Sequence, residues 1–182
     1  MNQLNLLLAG ASAVTAVAAV TDMRRGVIPN WLTLSTLSVG GVLHVWVSRT
    51  VSAAPLGMWI AEVALGVLLC GLVPFVMWKK EAIGGGDVKL LAALGALLGP
   101  VLGMEAELYA FICALLFAPI KLAFDGKLLS VAKNALRVLI NPFLPKSKQV
   151  TVAPELLHEL RFGPAVLVGV LIAAAIHWTR GS

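Results

Sequence analysis

Residues 4–30 read LNLLLAGASAVTAVAAVTDMRRGVIPN. From Leu4 to Thr21 no side chain carries a charge, and the run is close to the about 20 apolar residues that a helix needs to cross a bilayer. It stops at an acid, Asp22, then come Arg24 and Arg25, a glycine, and the Ile28-Pro29-Asn30 step into a second apolar run. The same alternation of long apolar runs and short polar connections continues along the chain. It predicts further spans at Trp31–Val47, Leu56–Trp78, Val88–Leu102, Ala106–Phe124 and Gly163–Trp178. The expected fold class is therefore all-α: a polytopic membrane protein of six transmembrane helices, forming one integral-membrane domain over residues 1–182.

Composition agrees with this. Hydrophobic residues make up 59% of the 182 and charged residues only 13%, about half the charge of a soluble domain. In such a chain the net charge of +5 reports membrane topology, and no nucleic-acid partner is expected. Ala16-Val17-Ala18 resembles a leader cleavage site, but no Lys or Arg precedes the first apolar run, so a retained first span is expected. Cys70 and Cys113 each lie inside an apolar run and form no CxxC pair, which makes them small buried side chains. His44, His158 and His177 are scattered without ligand spacing, so no metal or cofactor is expected. Trp31, Trp78 and Trp178 stand near span ends, as interfacial anchors do.

The cations are one-sided. Of the fourteen Lys and Arg residues, all but Arg49 and Arg180 fall in or beside alternate connections: between spans one and two, three and four, and five and six. The positive-inside rule places those connections in the cytoplasm and both chain ends outside, in a bacterial inner membrane. The long connection from Asp125 to Phe162 opens with helical periodicity over residues 127–140, with Lys127, Lys133 and Arg137 among apolar positions. That pattern predicts an amphipathic helix on the inner membrane surface, either a plain linker or a substrate-binding element. Residues 141–154 hold three prolines and should be irregular.

Two acids stand out at this cytoplasmic level. A carboxylate beside lipid is costly and marks function by default. Asp22 lies at the C-terminal end of span one, where the helix dipole disfavours an anion; it is either functional or paired with Arg24 or Arg25. Asp87 follows Gly84-Gly85-Gly86, read as a loop that presents a carboxylate at the mouth of a helix, or else Asp87 is an N-cap. If spans one and four are neighbours, the two carboxylates can share a proton. One then acts as a base on water, the other as an acid toward the carbonyl or the leaving amine.

Taken together, these motifs resemble one known family. Asp22, five residues, then Ile28-Pro29-Asn30 is similar to the first signature of the type IV prepilin peptidases. Gly84-Gly85-Gly86-Asp87-Val88-Lys89 matches the GxGD signature of the same family of membrane aspartic proteases. Phe162-Gly163-Pro164-Ala165 resembles the opening of that family's last span, although Arg161 stands where the family often has proline. The resemblance implies an aspartic endopeptidase with Asp22 and Asp87 as catalytic residues and Gly84, Gly85, Gly86 and Lys89 in the active-site loop. Its partners would be the lipid bilayer and a prepilin or pseudopilin. The basic leader of that substrate would be cut just after a glycine at the cytoplasmic face, ahead of pilus assembly. The chain looks like the short form of the family, similar to peptidases of tight-adherence pili, so methylation is not carried over from the long form. Two rival readings stand beside it: a small carrier or channel subunit whose acids bind cations or protons, and a GxGD protease of another substrate class.

Overall fold

A computed structural model describes residues 3–80, 82–124 and 161–178. These fold into five helices: α1 Gln3–Arg25, α2 Asn30–Val51, α3 Leu56–Lys79, α4 Gly85–Phe124 and α5 Gly163–Trp178. No strand occurs among the described residues. Four of the helices, α1 to α4, are long and apolar enough to cross a membrane. The expected amphipathic helix at 127–140 and the irregular stretch after it lie outside the described residues.

Five helices are described where six separate ones were expected. The fourth and fifth predicted spans fall within one element, α4, and the polar step at Gly103-Met104-Glu105 is not where its backbone breaks. The break comes earlier, at Gly99, whose backbone (φ 79, ψ 176) is not helical. Positive φ is open to glycine at little cost and strained for other residues. Pro100 follows, suited to the first turn of whatever helix resumes. The chain folds back at this point: a Cβ built on Gly103 would lie 3.1 Å from the Cα of Gly95. In an unbroken helix those residues would be about 12 Å apart along the axis.

Small residues set the packing around this reversal. A side chain on either Gly66 of α3 or Gly95 of α4 would run into the carbonyl of the other, so the two backbones cross in direct contact. A Cβ on Gly169 of α5 would lie 2.6 Å from the Ala106 carbonyl oxygen of α4. α4 is thus the centre of the bundle, packed on α3, α5 and α2, while α1 packs chiefly on α5. Leu8, Leu90, Leu91, Val166 and Val170 are fully buried between them. Leu65, Leu68, Leu72 and Val76 of α3 face outward, as a lipid-facing surface requires.

The two ends of the bundle differ in chemistry. One end gathers the C-termini of α1 and α3 and the N-termini of α2, α4 and α5, with Arg24, Arg25, Lys79, Lys80, Lys89 and Arg161. The opposite end holds the Gly99 reversal. There the buried His44 ring donates Nδ1–H to the Leu97 carbonyl, 3.1 Å away. This satisfies an acceptor that the break in α4 removes from helical pairing. Glu62 lies 3.8 Å from the other ring nitrogen. His177 and Glu105 pair at 2.8 Å between α5 and α4. His44 and His177 thus make specific polar contacts to partners remote in sequence.

Candidate active site

The site begins with the way α1 ends. Gly26 has φ 68, and its N–H donates to the Asp22 carbonyl at 2.8 Å. This is the left-handed cap that terminates a helix with one backbone hydrogen bond. Asp22 therefore sits in the last turn of α1, and it is only 7% exposed. Among the described residues it makes no ion pair with Arg24 or Arg25, which are exposed. Its carboxylate Oδ2 instead accepts the N–H of Gly163 at 3.0 Å. Gly163 opens α5, so the Asp22 carboxylate caps the electropositive end of that helix.

The residue at 163 must be glycine for this contact. A Cβ built there would lie 2.8 Å from Asp22 Oδ2 and 2.9 Å from Asp22 Cβ. Just before it, the guanidinium of Arg161 donates from Nη1 to the main-chain carbonyls of Asp22, at 2.8 Å, and Met23. Phe162 between them is buried, its ring centroid 5.3 Å from that of Phe111 on α4.

Asp87 reaches the same end from α4. The expected glycine loop is shorter than its sequence suggested, because Gly85 and Gly86 already form the first turn of α4. Neither has the positive φ that a strained loop would use; among the described residues only Gly26 and Gly99 do. Asp87 is the third helical residue rather than the N-cap. Its Oδ2 accepts the Gly84 N–H at 3.2 Å, and its own N–H donates to the Gly84 carbonyl at 3.1 Å. This is the acidic half of a capping box. The glycines serve close approach instead: a Cβ on Gly86 would lie 3.2 Å from Ile28 Cβ, and one on Gly85 would lie 3.3 Å from the indole nitrogen of Trp78.

These contacts bring distant motifs together. Ile28 seats the start of α2 on Gly86, and Lys89 Nζ donates to the Asn30 side-chain oxygen at 2.9 Å. Lys89 thus ties α4 to α2. Asp87, 9% exposed, lies close enough to Asp22 for the two charges to interact. α1 and α4 themselves touch little; α5, packed on both, holds their ends in register. Among the described residues no group of three His, Cys, Asp or Glu side chains converges to hold a metal ion.

Next to the end of α1 opens an apolar cavity of about 780 Å³, which neither aspartate lines. Met23, Ile83, Phe111, Arg161, Phe162 and Pro164 are among its lining residues, from the ends of α1 and α5, the segment before α4, and α4 itself. The sequence reading placed Gly163 only by resemblance and gave Met23 and Ile28 no separate role. Arg161 entered it only as a departure from a motif.

Comparison with known proteins covers the α1 and α4 parts of this site. The sequence model of the type IV leader peptidase family matches residues 9–119, which include both aspartates and the Ile28-Pro29-Asn30 and glycine motifs. An Escherichia coli O78:H11 protein described as a type 4 prepilin-like proteins leader peptide-processing enzyme is 32% identical over 114 residues. That alignment covers 60% of this chain and 40% of the relative. A Burkholderia pseudomallei prepilin leader peptidase/N-methyltransferase is 40% identical over 90 residues, covering 48% of this chain and 28% of the relative. An archaeal prepilin peptidase from Methanothermobacter thermautotrophicus is 32% identical over 81 residues, 44% of this chain and 20% of the relative. The chain therefore spans well under half the length of these curated relatives. No solved structure matches it. With the family's model covering residues 9–119 of 182, the chain belongs to the type IV leader peptidase family.

Proposed function

We propose that this chain is a membrane aspartic endopeptidase that removes the basic leader from prepilin-like substrates at the cytoplasmic face. One observation carries the reading. Two carboxylates, far apart in sequence and both nearly excluded from solvent, lie at the same end of an apolar bundle, each held by a backbone N–H.

The chemistry follows from the pair. In the proposed mechanism the two carboxylates hold one proton between them, as paired acids at close range do. The ionised carboxylate takes a proton from a water molecule as the oxygen attacks the scissile carbonyl carbon. The protonated one donates to the carbonyl oxygen, giving a neutral tetrahedral diol. Collapse of that diol breaks the C–N bond, with proton transfer to the leaving nitrogen, and the pair returns to its starting state. The backbone N–H groups of Gly163 and Gly84 fix each side chain's direction, which is the positioning that acid–base catalysis depends on. The apolar cavity at the end of α1 suits an apolar stretch of substrate near the cut, with the cations of the same end offering no welcome to the basic leader itself. The leader would then remain in the aqueous phase.

Topology belongs to the same reading. The Gly99 reversal supports two crossings within α4, and hence six in all, with both termini outside and the basic end in the cytoplasm of the inner membrane. An acid pair at one end, rather than at mid-membrane, favours hydrolysis over ion or proton transport. The direct test incubates the purified protein with a candidate prepilin and sequences any new amino terminus. The reading expects one cut, just after a glycine, that separates the basic leader. An intact substrate, or cuts elsewhere, would contradict it.

A further inference from the structure

The segment 161–163 grips Asp22 at two points. Gly163 N–H holds the carboxylate and Arg161 Nη1 holds the main-chain carbonyl of the same residue, with the Met23 carbonyl as a second acceptor. Phe162, between the two donors, is buried against Phe111, so both are anchored to the bundle. At the end of α1 the last carbonyls have no partner within the helix. Gly26 N–H supplies one donor to the Asp22 carbonyl, and the Arg161 Nη1 group serves that carbonyl and the next. A guanidinium is suited to this, since it is planar, permanently charged and carries several donors, and its charge falls at the negative end of the α1 dipole. Arg24 and Arg25 occupy the same turn but point to the exterior, so neither substitutes for it.

We propose that Arg161 is a positioning residue, clamping the end of α1 to the start of α5 so that the Asp22 carboxylate stays opposite Asp87. The inference rests on the aspartate-pair reading above. Arg161 borders the apolar cavity, but the Nη1 donor it places is spent on backbone carbonyls, so its effect on cleavage runs through Asp22.

The test reads both turnover and local order. Arg161→Ala should lower kcat by roughly 10²-fold with little change in KM, the cost of misplacing a reacting group by about 1 Å. Arg161→Lys, which keeps the charge but loses the fork, should fall between the two. Methylguanidine added to the Arg161→Ala enzyme should restore part of kcat and leave the wild type unaffected. Amide exchange of the detergent-solubilised protein supplies the measurement that needs no substrate. In Arg161→Ala the Gly26 and Gly163 amides should exchange faster, while α2 and α3 keep wild-type rates.

Three results would overturn the clamp. One is a raised KM with kcat intact, which would make Arg161 a substrate contact. Another is full activity in Arg161→Ala. The third is a kcat loss without faster exchange at Gly26 and Gly163. Should wild-type protein cut no prepilin at all, the peptidase reading fails on its own, and the exchange comparison still decides whether Arg161 holds α1.

Discussion

Replacing Gly163 with alanine adds one methyl group at the most crowded point of the site. The built Cβ lies 2.8 Å from Asp22 Oδ2, 2.9 Å from Asp22 Cβ and 3.2 Å from Asp22 Cγ. Carbon atoms in contact settle about 3.5–4.0 Å apart, so either the Asp22 side chain or the start of α5 must yield by roughly 0.6–1 Å. Neither is free to do so. The Asp22 carbonyl is held by Gly26 and Arg161, and Phe162 is packed against Phe111. The displacement therefore falls on the carboxylate and its hydrogen bond from the Gly163 N–H. A shift of about 1 Å at a reacting group costs roughly 10²-fold in rate. Overpacking of this kind costs about 1–3 kcal/mol, which a bundle of this size survives. The expected result is a folded protein, present in the membrane at wild-type level, whose prepilin cleavage is reduced by roughly 10²-fold. Cleavage is read by the mobility shift of the substrate, and folding by thermal melting in detergent. Gly163→Ala with wild-type cleavage would refute the claim that the Asp22–Gly163 contact sets the geometry of the pair.

Three further outcomes are expected. Gly99→Ala places a residue with a side chain at φ 79 and a Cβ 2.7 Å from His44 Cε1, so it should lower the melting temperature through about 1–3 kcal/mol of strain and clash; unchanged melting would show that the reversal does not need glycine. Gly86→Val should reduce cleavage more than protein level, since its side chain would push Ile28 away from the first turn of α4; full activity would show that this seat is loose. After replacement of Cys70 and Cys113, a cysteine at Ser147 should be labelled only from the cytoplasm and one at Ser52 only from outside, and the opposite pattern would move the active site across the membrane.

Much of this site was legible in the sequence because its signals are local. Apolar runs bounded by charge located α1, α2, α3 and α5 to within a few residues, and the cost of an acid beside lipid picked out Asp22 and Asp87. What escaped depends on contacts between remote residues. The reversal in α4 fell in a run with glycines at 95, 99 and 103, all equally plausible as packing residues; only the Gly99-Pro100 pair hinted at a break there. Its proof is the backbone geometry of Gly99 and the approach of Gly95 to Gly103. The triple glycine read as a loop, yet two of its members are helical, because the demand on them is room for Ile28 and Trp78. Gly163 and Arg161 meet Asp22 across about 140 positions of chain, a pairing that no periodicity encodes.

The account stands on Asp22 and Asp87 acting as one unit, and a double-mutant comparison tests that most directly. Asparagine keeps the shape of aspartate and can still accept the Gly163 or Gly84 N–H through its side-chain oxygen, so each substitution removes acid–base capacity with the caps intact. Prepilin cleavage is measured for Asp22→Asn, Asp87→Asn and the double variant at matched membrane levels. The account predicts that each single change removes most of a gain of roughly 10³-fold or more, and that the double variant is scarcely worse than either, because groups that act together are not additive. Asp87 as half of a capping box alone predicts otherwise, since the asparagine side-chain oxygen can still accept the Gly84 N–H. Substantial cleavage by either single variant, or losses that multiply in the double, would contradict the paired mechanism.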